Sequence, residues 1–192
     1  YRHFHRCVQL IGLNDPDKRW LLKNPGHIAN LDLLFAIFPD AKVIQTHRDP
    51  AKAVPSLVSL LMMSHPHMEE GRGEQRGEIM LRREVAKWAS AVHKCAAVRA
   101  AHPGQVLDAV HADFHRDPMG ELERIYHFIG MQIGDDLRPA LAARIAEKPE
   151  LHSVVSPIGF GRQIRLDIGT KTIFWIIRLG KDIAVIKPAK FI

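Results

Sequence analysis

The chain has 192 residues, 46% hydrophobic and 25% charged, the balance of an ordinary soluble globular protein rather than a disordered or fibrous one. A net charge of +6 favours an anionic partner: a phosphorylated cofactor, nucleic acid, an acidic acceptor or an anionic membrane surface. The two cysteines, Cys7 and Cys95, exclude a disulfide framework and favour a reducing compartment, so the cytoplasm is the expected location.

No apolar run approaches the roughly 18 residues needed to span a bilayer. "YRHFHRCVQL" lacks the apolar core and cleavage site of a signal peptide. The first residue is Tyr rather than Met and falls within a predicted helix, so upstream sequence is expected. That helix, Tyr1 to Leu13, is amphipathic, with Phe4, Val8 and Ile11 close to one stripe, and "NDPD" breaks it. "RWLLK" (19–23) has the short apolar pattern of a buried parallel strand. The turn "NPG" leads into a helix from His27 to Phe38, on which Leu31, Leu34, Phe35 and Phe38 recur at helical spacing. "PDA" stops it, and "KVIQT" is a second buried strand.

A helix from Pro50 to about Ser64 follows, then a polar, glycine-bearing loop, "HPHMEEGRGEQRG" (65–77). A long helix from Glu78 to Ala101 ends at "HPG", and "QVLDAV" is a third strand. "DPMGELERIYHFIGM" is a helix with Asp117 as N-cap and Pro118 at its first position. A last helix is expected from about Asp135 to Glu147. Strands alternating with helices predict an α/β layer fold with a parallel sheet. In the tail, "RQIRLDI" alternates like a strand, whereas "TIFWIIRLGKDIAVIKPAKFI" has no clear period. The expected organisation is one α/β domain over residues 1–150 and an unassigned tail over 151–192.

The stretch "QTHRDPAKAVPS" carries the chemistry. Ligands of open α/β sheets bind beyond the carboxyl ends of the strands, and Arg48 stands just past the end of "KVIQT", placed for a bidentate grip on phosphate. Asp49 can cap the next helix with Pro50 at its first position, and the helix start offers free N–H groups. Positions 49, 52, 53 and 56 share a face, so Lys52 and the Ser56 hydroxyl lie on one stripe. The plainer alternative is a helix cap beside a surface arginine. Pro55, inside that helix, cannot donate to the carbonyl of Ala51 and is expected to kink it next to Ser56.

With these residues in view, the chain resembles the bacterial-type sulfotransferases that use 3′-phosphoadenosine 5′-phosphosulfate. The likeness lies in "RWLLKNPGHIANLDLLFAIFPDAKVIQTHRDPAKAVPSL", in "VHADFHRDPMGELERIYHFIGM" and in the helix between them, roughly residues 1–150. It implies a three-layer, P-loop-NTPase-like parallel sheet flanked by helices. It also implies sulfuryl transfer from that nucleotide to a hydroxyl or amine, with Arg48 and Ser56 binding the 3′-phosphate. Lys23 would stabilise transition-state charge and His27 would be the base. In the cytosolic branch of the family the histidine stands two residues after the lysine; here it stands four after. The family's Pro-x-x-Gly-Thr/Ser-Thr/Ser loop for the 5′-phosphosulfate does not occur in the sequence. A small molecule or glycan is the implied acceptor. No metal, nucleic-acid partner or transmembrane segment is expected, and Lys and Arg are scattered rather than striped. The alternatives are a non-catalytic nucleotide-binding remnant and a basic polyanion-binding protein.

Lesser features have structural explanations. His65 and His67, near Glu69 and Glu70, read as a solvated loop rather than a metal site. Asp113 reads as a structural acid after the third strand, and Trp20 and Trp88 as core.

Overall fold

In a computed structural model of the chain, which describes residues 1–64, 76–146 and 173–178, the three anticipated strands lie in one sheet. They are β1 (Trp20–Lys23), β2 (Ala41–His47) and β3 (Val106–Val110). β2 and β3 pair in parallel, Val43 opposite Val106 and His47 opposite Val110. A fourth strand, β4 (Ile173–Arg178), comes from the aperiodic tail and lies between β1 and β2, giving the order β1-β4-β2-β3. It is antiparallel to both neighbours, with Trp175 opposite Lys23 on one side and Ile44 on the other. β1, β2 and β3 therefore run the same way, and their carboxyl ends form one edge.

The helices are α1 (Arg2–Ile11), α2 (Leu31–Ile37), α3 (Pro50–Ser64), α4 (Arg76–Ala101), α5 (His111–Arg116), α6 (Pro118–Phe128) and α7 (Leu137–Ala146). The period of two along β2 sorts them into layers. Val43 packs with α2 and α4 in a core that includes Leu34, Phe35, Phe38, Ala91 and Cys95. Gln45, two residues on, accepts from Arg99 of α4. Ile44, facing the opposite way, packs with Ala109 and Ile129 at the end of α6. Helices thus cover both faces, the three-layer arrangement expected. Phe38 is only 2% exposed, and burying such a side chain contributes about 1.5–3 kcal/mol.

Local chemistry fixes the element ends. Asp117 accepts from the Gly120 N–H at 2.9 Å with Pro118 next in line, the anticipated cap of α6. Gly130, at φ +71°, ends the same helix: its own N–H reaches His127 and that of Met131 reaches Tyr126, the closure that a left-handed residue permits.

Several boundaries differ from expectation. The helix expected over His27–Phe38 begins earlier, as a 3-10 helix over Pro25–Asn30, because Asn24 caps it and Pro25 suits its first position. Asn30, at φ −137°, separates that turn from α2. Arg76 and Gly77, expected in the polar loop, are the first residues of α4. The rest of that loop, with His65, His67, Glu69 and Glu70, lies outside the described residues, as does "RQIRLDI". α5 was not anticipated. No helix among the described residues is long and apolar enough to cross a membrane.

Candidate active site

The candidate site residues lie at two strand ends on the carboxyl edge, those of β1 and β2, with β4 between the two strands. At the end of β1, the Asn24 side chain accepts from the Gly26 N–H at 2.9 Å and turns the chain sharply into the 3-10 helix. That turn brings Lys23 and His27, four residues apart, onto the wall of one cavity of about 510 Å³, with Tyr1, Phe4, Leu22 and Asn30 among its other lining residues. Lys23 is exposed and His27 half-buried. Burial holds the His27 imidazole below its ordinary pKa, so it is neutral at pH 7 and able to take up a proton. Its Nδ1 lies 2.7 Å from the Tyr1 hydroxyl. Burial, and then the negative charge of Asp32, raise the pKa of that phenol, which keeps its proton at neutral pH.

At the end of β2 a polar network clamps the strand to its neighbours. The Asp108 carboxylate of β3 lies 2.6 Å from His47 Nε2 and accepts from Arg99 Nη2 at 2.6 Å. Arg99 also donates to the buried Gln45 at 2.8 Å. Partial burial alone would raise the Asp108 pKa, but the bonds from Arg99 and His47 outweigh it and hold the carboxyl below its usual value. The residue immediately before Arg48 is thereby pinned. Arg48 itself is exposed and has no hydrogen-bond or ion-pair partner among the described residues.

Asp49 begins α3 as anticipated: its carboxylate accepts from the Ala51 N–H at 3.1 Å, and its carbonyl from Lys52 and Ala53 at 2.9 and 2.7 Å. Lys52 and Ser56 are exposed on the first two turns. α3 runs unbroken through Pro55, whose carbonyl accepts from the Ser59 hydroxyl at 3.0 Å. Arg48 and Ser56 do not line the cavity that holds Lys23 and His27. Lys23 is level with Ile44 across β4, so its backbone stands roughly 16 Å from that of Arg48 by strand geometry.

The spacing of motifs missed two features. Tyr1 reaches His27 across 26 positions of sequence. His111 follows Val110, the partner of His47, just as Arg48 follows His47, so parallel pairing sets His111 beside Arg48. Its Nε2 lies 3.1 Å from that of His115, one helical turn on. Burial first, then the charges of His115, Arg48 and Lys52, lower the His111 pKa. The strand register and the i, i+4 spacing in "HADFH" were the available signals. Asp113, on the same short helix, accepts from Arg116 at 2.7 Å. Trp88 packs against the core and donates to the buried Glu84 at 3.0 Å. Among the described residues, no group of three or more His, Cys, Asp and Glu side chains is set to hold a metal ion.

Comparison with known proteins gives the geometry a family context. The profile of the sulfotransferase family matches residues 2–135. The omega-hydroxy-beta-dihydromenaquinone-9 sulfotransferases of Mycobacterium tuberculosis and Mycobacterium bovis are each 27% identical over 133 residues, 68% of this chain and 33% of theirs. The crystal structure of sulfotransferase STF1 from M. tuberculosis superposes with a TM-score of 0.60 at 35% identity, covering 72% of this chain and 38% of that one. Sulfotransferase STF9 from Mycobacterium avium, at 24% identity and a TM-score of 0.58, shares the fold over 67% of this chain and 33% of its own. The chain spans about a third of the length of the curated relatives it matches.

Proposed function

The chain belongs to the sulfotransferase family, and from that premise we propose that it serves sulfuryl transfer from 3′-phosphoadenosine 5′-phosphosulfate to a hydroxyl or amine of a small-molecule or glycan acceptor. In such a transfer the sulfur–oxygen bond to the donor's phosphate breaks and a bond from sulfur to the acceptor atom forms. The acceptor's proton leaves to a base, and negative charge builds on the departing phosphate oxygen. Positioned charge therefore supplies most of the acceleration. The Lys23 ammonium meets the developing charge, and neutral His27 takes the proton.

The observation that carries this reading is that Lys23 and His27 line one cavity at the carboxyl edge of the sheet. The donor's anionic groups fit the end of β2, on the far side of β4. There the Arg48 guanidinium is exposed and unpartnered among the described residues, with Lys52 and the first turn of α3 beside it. Arg48 and Ser56 hold the 3′-phosphate in this reading.

The test is transfer of labelled sulfuryl to hydroxyl and amine probes, run beside titration with 3′-phosphoadenosine 5′-phosphate. Lys23→Ala and His27→Gln should each slow transfer by about a hundredfold or more. Transfer that survives both substitutions would overturn the roles given to these residues. Nucleotide binding without any transfer would identify a non-catalytic binding protein. Binding of any polyanion, steeply salt-dependent and indifferent to Arg48→Ala, would identify a charge-only binder.

A further inference from the structure

We propose that Tyr1 is a positioning residue for His27, its hydroxyl holding the Nδ1 side of the imidazole so that Nε2 is the nitrogen left to take a proton. The inference rests on the reading of His27 as the proton acceptor and extends it to a residue outside every recognised motif. The Tyr1 hydroxyl lies 2.7 Å from His27 Nδ1, a short contact for a neutral pair. Nε2 has no hydrogen-bond partner among the described residues.

A chain of rings fixes the pair. The imidazole sits 5.6 Å from the Tyr1 ring and 5.9 Å from the Phe4 ring. Tyr1 and Phe4, three residues apart on the same face of the helix start, meet edge to face at 6.4 Å. Phe4 in turn meets the buried Phe38 edge-on at 5.8 Å. The His27 ring therefore has little freedom to rotate away from the hydroxyl.

Two protonation arrangements satisfy that contact. If the phenol donates to an unprotonated Nδ1, the ring carries its proton on Nε2 and cannot act as a base there. If Nδ1–H donates to the phenol oxygen, Nε2 presents a lone pair. The second arrangement is the one that the role of base requires, and a phenol oxygen, which accepts as well as donates, can meet it. Once Nε2 is protonated, the bond from Nδ1–H to the phenol becomes charge-assisted and strengthens. Tyr1 then assists in the state where assistance accelerates the reaction.

The decisive experiment is two-bond proton–nitrogen correlation NMR of the ¹⁵N-labelled full chain near pH 7.5, which reads the tautomer of His27 directly. In the wild type His27 should carry its proton on Nδ1. Tyr1→Phe keeps the ring contacts and removes only the oxygen; it should shift His27 towards the Nε2–H form. Phe4→Leu, which keeps the hydroxyl, should leave the Nδ1–H form in place. A wild-type His27 protonated on Nε2, or a tautomer unmoved by Tyr1→Phe, would overturn the proposal. The wild-type spectrum alone decides it should a variant fail to fold. In transfer assays Tyr1→Phe should lower kcat about tenfold with KM little changed. If the tautomers behave as stated while His27→Gln leaves transfer untouched, Tyr1 still positions His27 and the base assignment alone fails.

Discussion

Replacing Asp108 by Asn probes whether the fold aims the proposed phosphate site. In the native chain both carboxylate oxygens are engaged, one with His47 Nε2 and the other with Arg99, each at 2.6 Å. An amide of the same shape offers one acceptor and two N–H groups, so either Arg99 or His47 must face a donor. Hydrogen bonds to charged groups contribute about 1.5–3 kcal/mol. The Asp108 side chain is 46% exposed, though, and water screens part of that, leaving about 1–2 kcal/mol. For a chain of this size such a loss lowers Tm by roughly 2–8 °C. The sign with pH follows from the depressed carboxyl. Its contribution is present above the unfolded value of about 3.9 and is lost as pH falls through the lower folded value. Urea midpoints of Asp108→Asn and wild type should therefore differ at pH 7 and draw together as pH falls below about 4. Affinity for 3′-phosphoadenosine 5′-phosphate should weaken too, by less than Arg48→Ala causes, since His47 directly precedes Arg48. Equal stability at pH 7, or a gap that persists in acid, would refute the reasoning.

Other expectations follow from the same geometry. Phe38→Ala should cost about 3–5 kcal/mol, measurable by urea titration, because the side chain is fully enclosed between helix and sheet. Ser56→Ala should weaken binding of 3′-phosphoadenosine 5′-phosphate about three- to tenfold in a calorimetric titration, with Tm within about 2 °C of wild type, as the hydroxyl is exposed. His27 and His111 both have lowered folded pKa values, chiefly through burial. Their contribution to stability is complete above about pH 6.5 and declines as pH falls through that value towards the folded ones. Urea midpoints should drop between about pH 7.5 and 5.5, and His111→Asn should flatten part of that slope; a parallel slope in the variant would contradict it.

β1, β2 and β3 and most helices were legible because local signals agreed with tertiary packing. "KVIQT" is apolar enough to be covered on both faces, and it is. Asp117 and Pro118 marked a helix start that no competing contact displaced. What stayed hidden depended on partners distant in sequence. "IFWIIR" shows no alternation, and nothing local reveals that it pairs with β1 and β2 from more than 120 positions away. Gln45 reads as a lone polar residue in an apolar strand until Arg99 and Cys95 are seen to meet it. For the site, Lys23, His27, Arg48 and Ser56 were named from motif order, and the cavity wall shared by the first two needed coordinates. Tyr1 and His111 carry no motif: one is found through a helix laid over the imidazole, the other through the register of two strands.

The central claim, that Arg48 holds a phosphate on the ribose of the nucleotide, is tested most directly by a two-ligand, two-protein titration. 3′-Phosphoadenosine 5′-phosphate and 5′-AMP, which lacks the 3′-phosphate, are each titrated into the wild type and into Arg48→Ala. The wild type should prefer the bisphosphate by at least about tenfold, the equivalent of one charge-assisted bond, and the preference should collapse in the variant. A preference of equal size in both proteins would place the 3′-phosphate elsewhere and contradict the account.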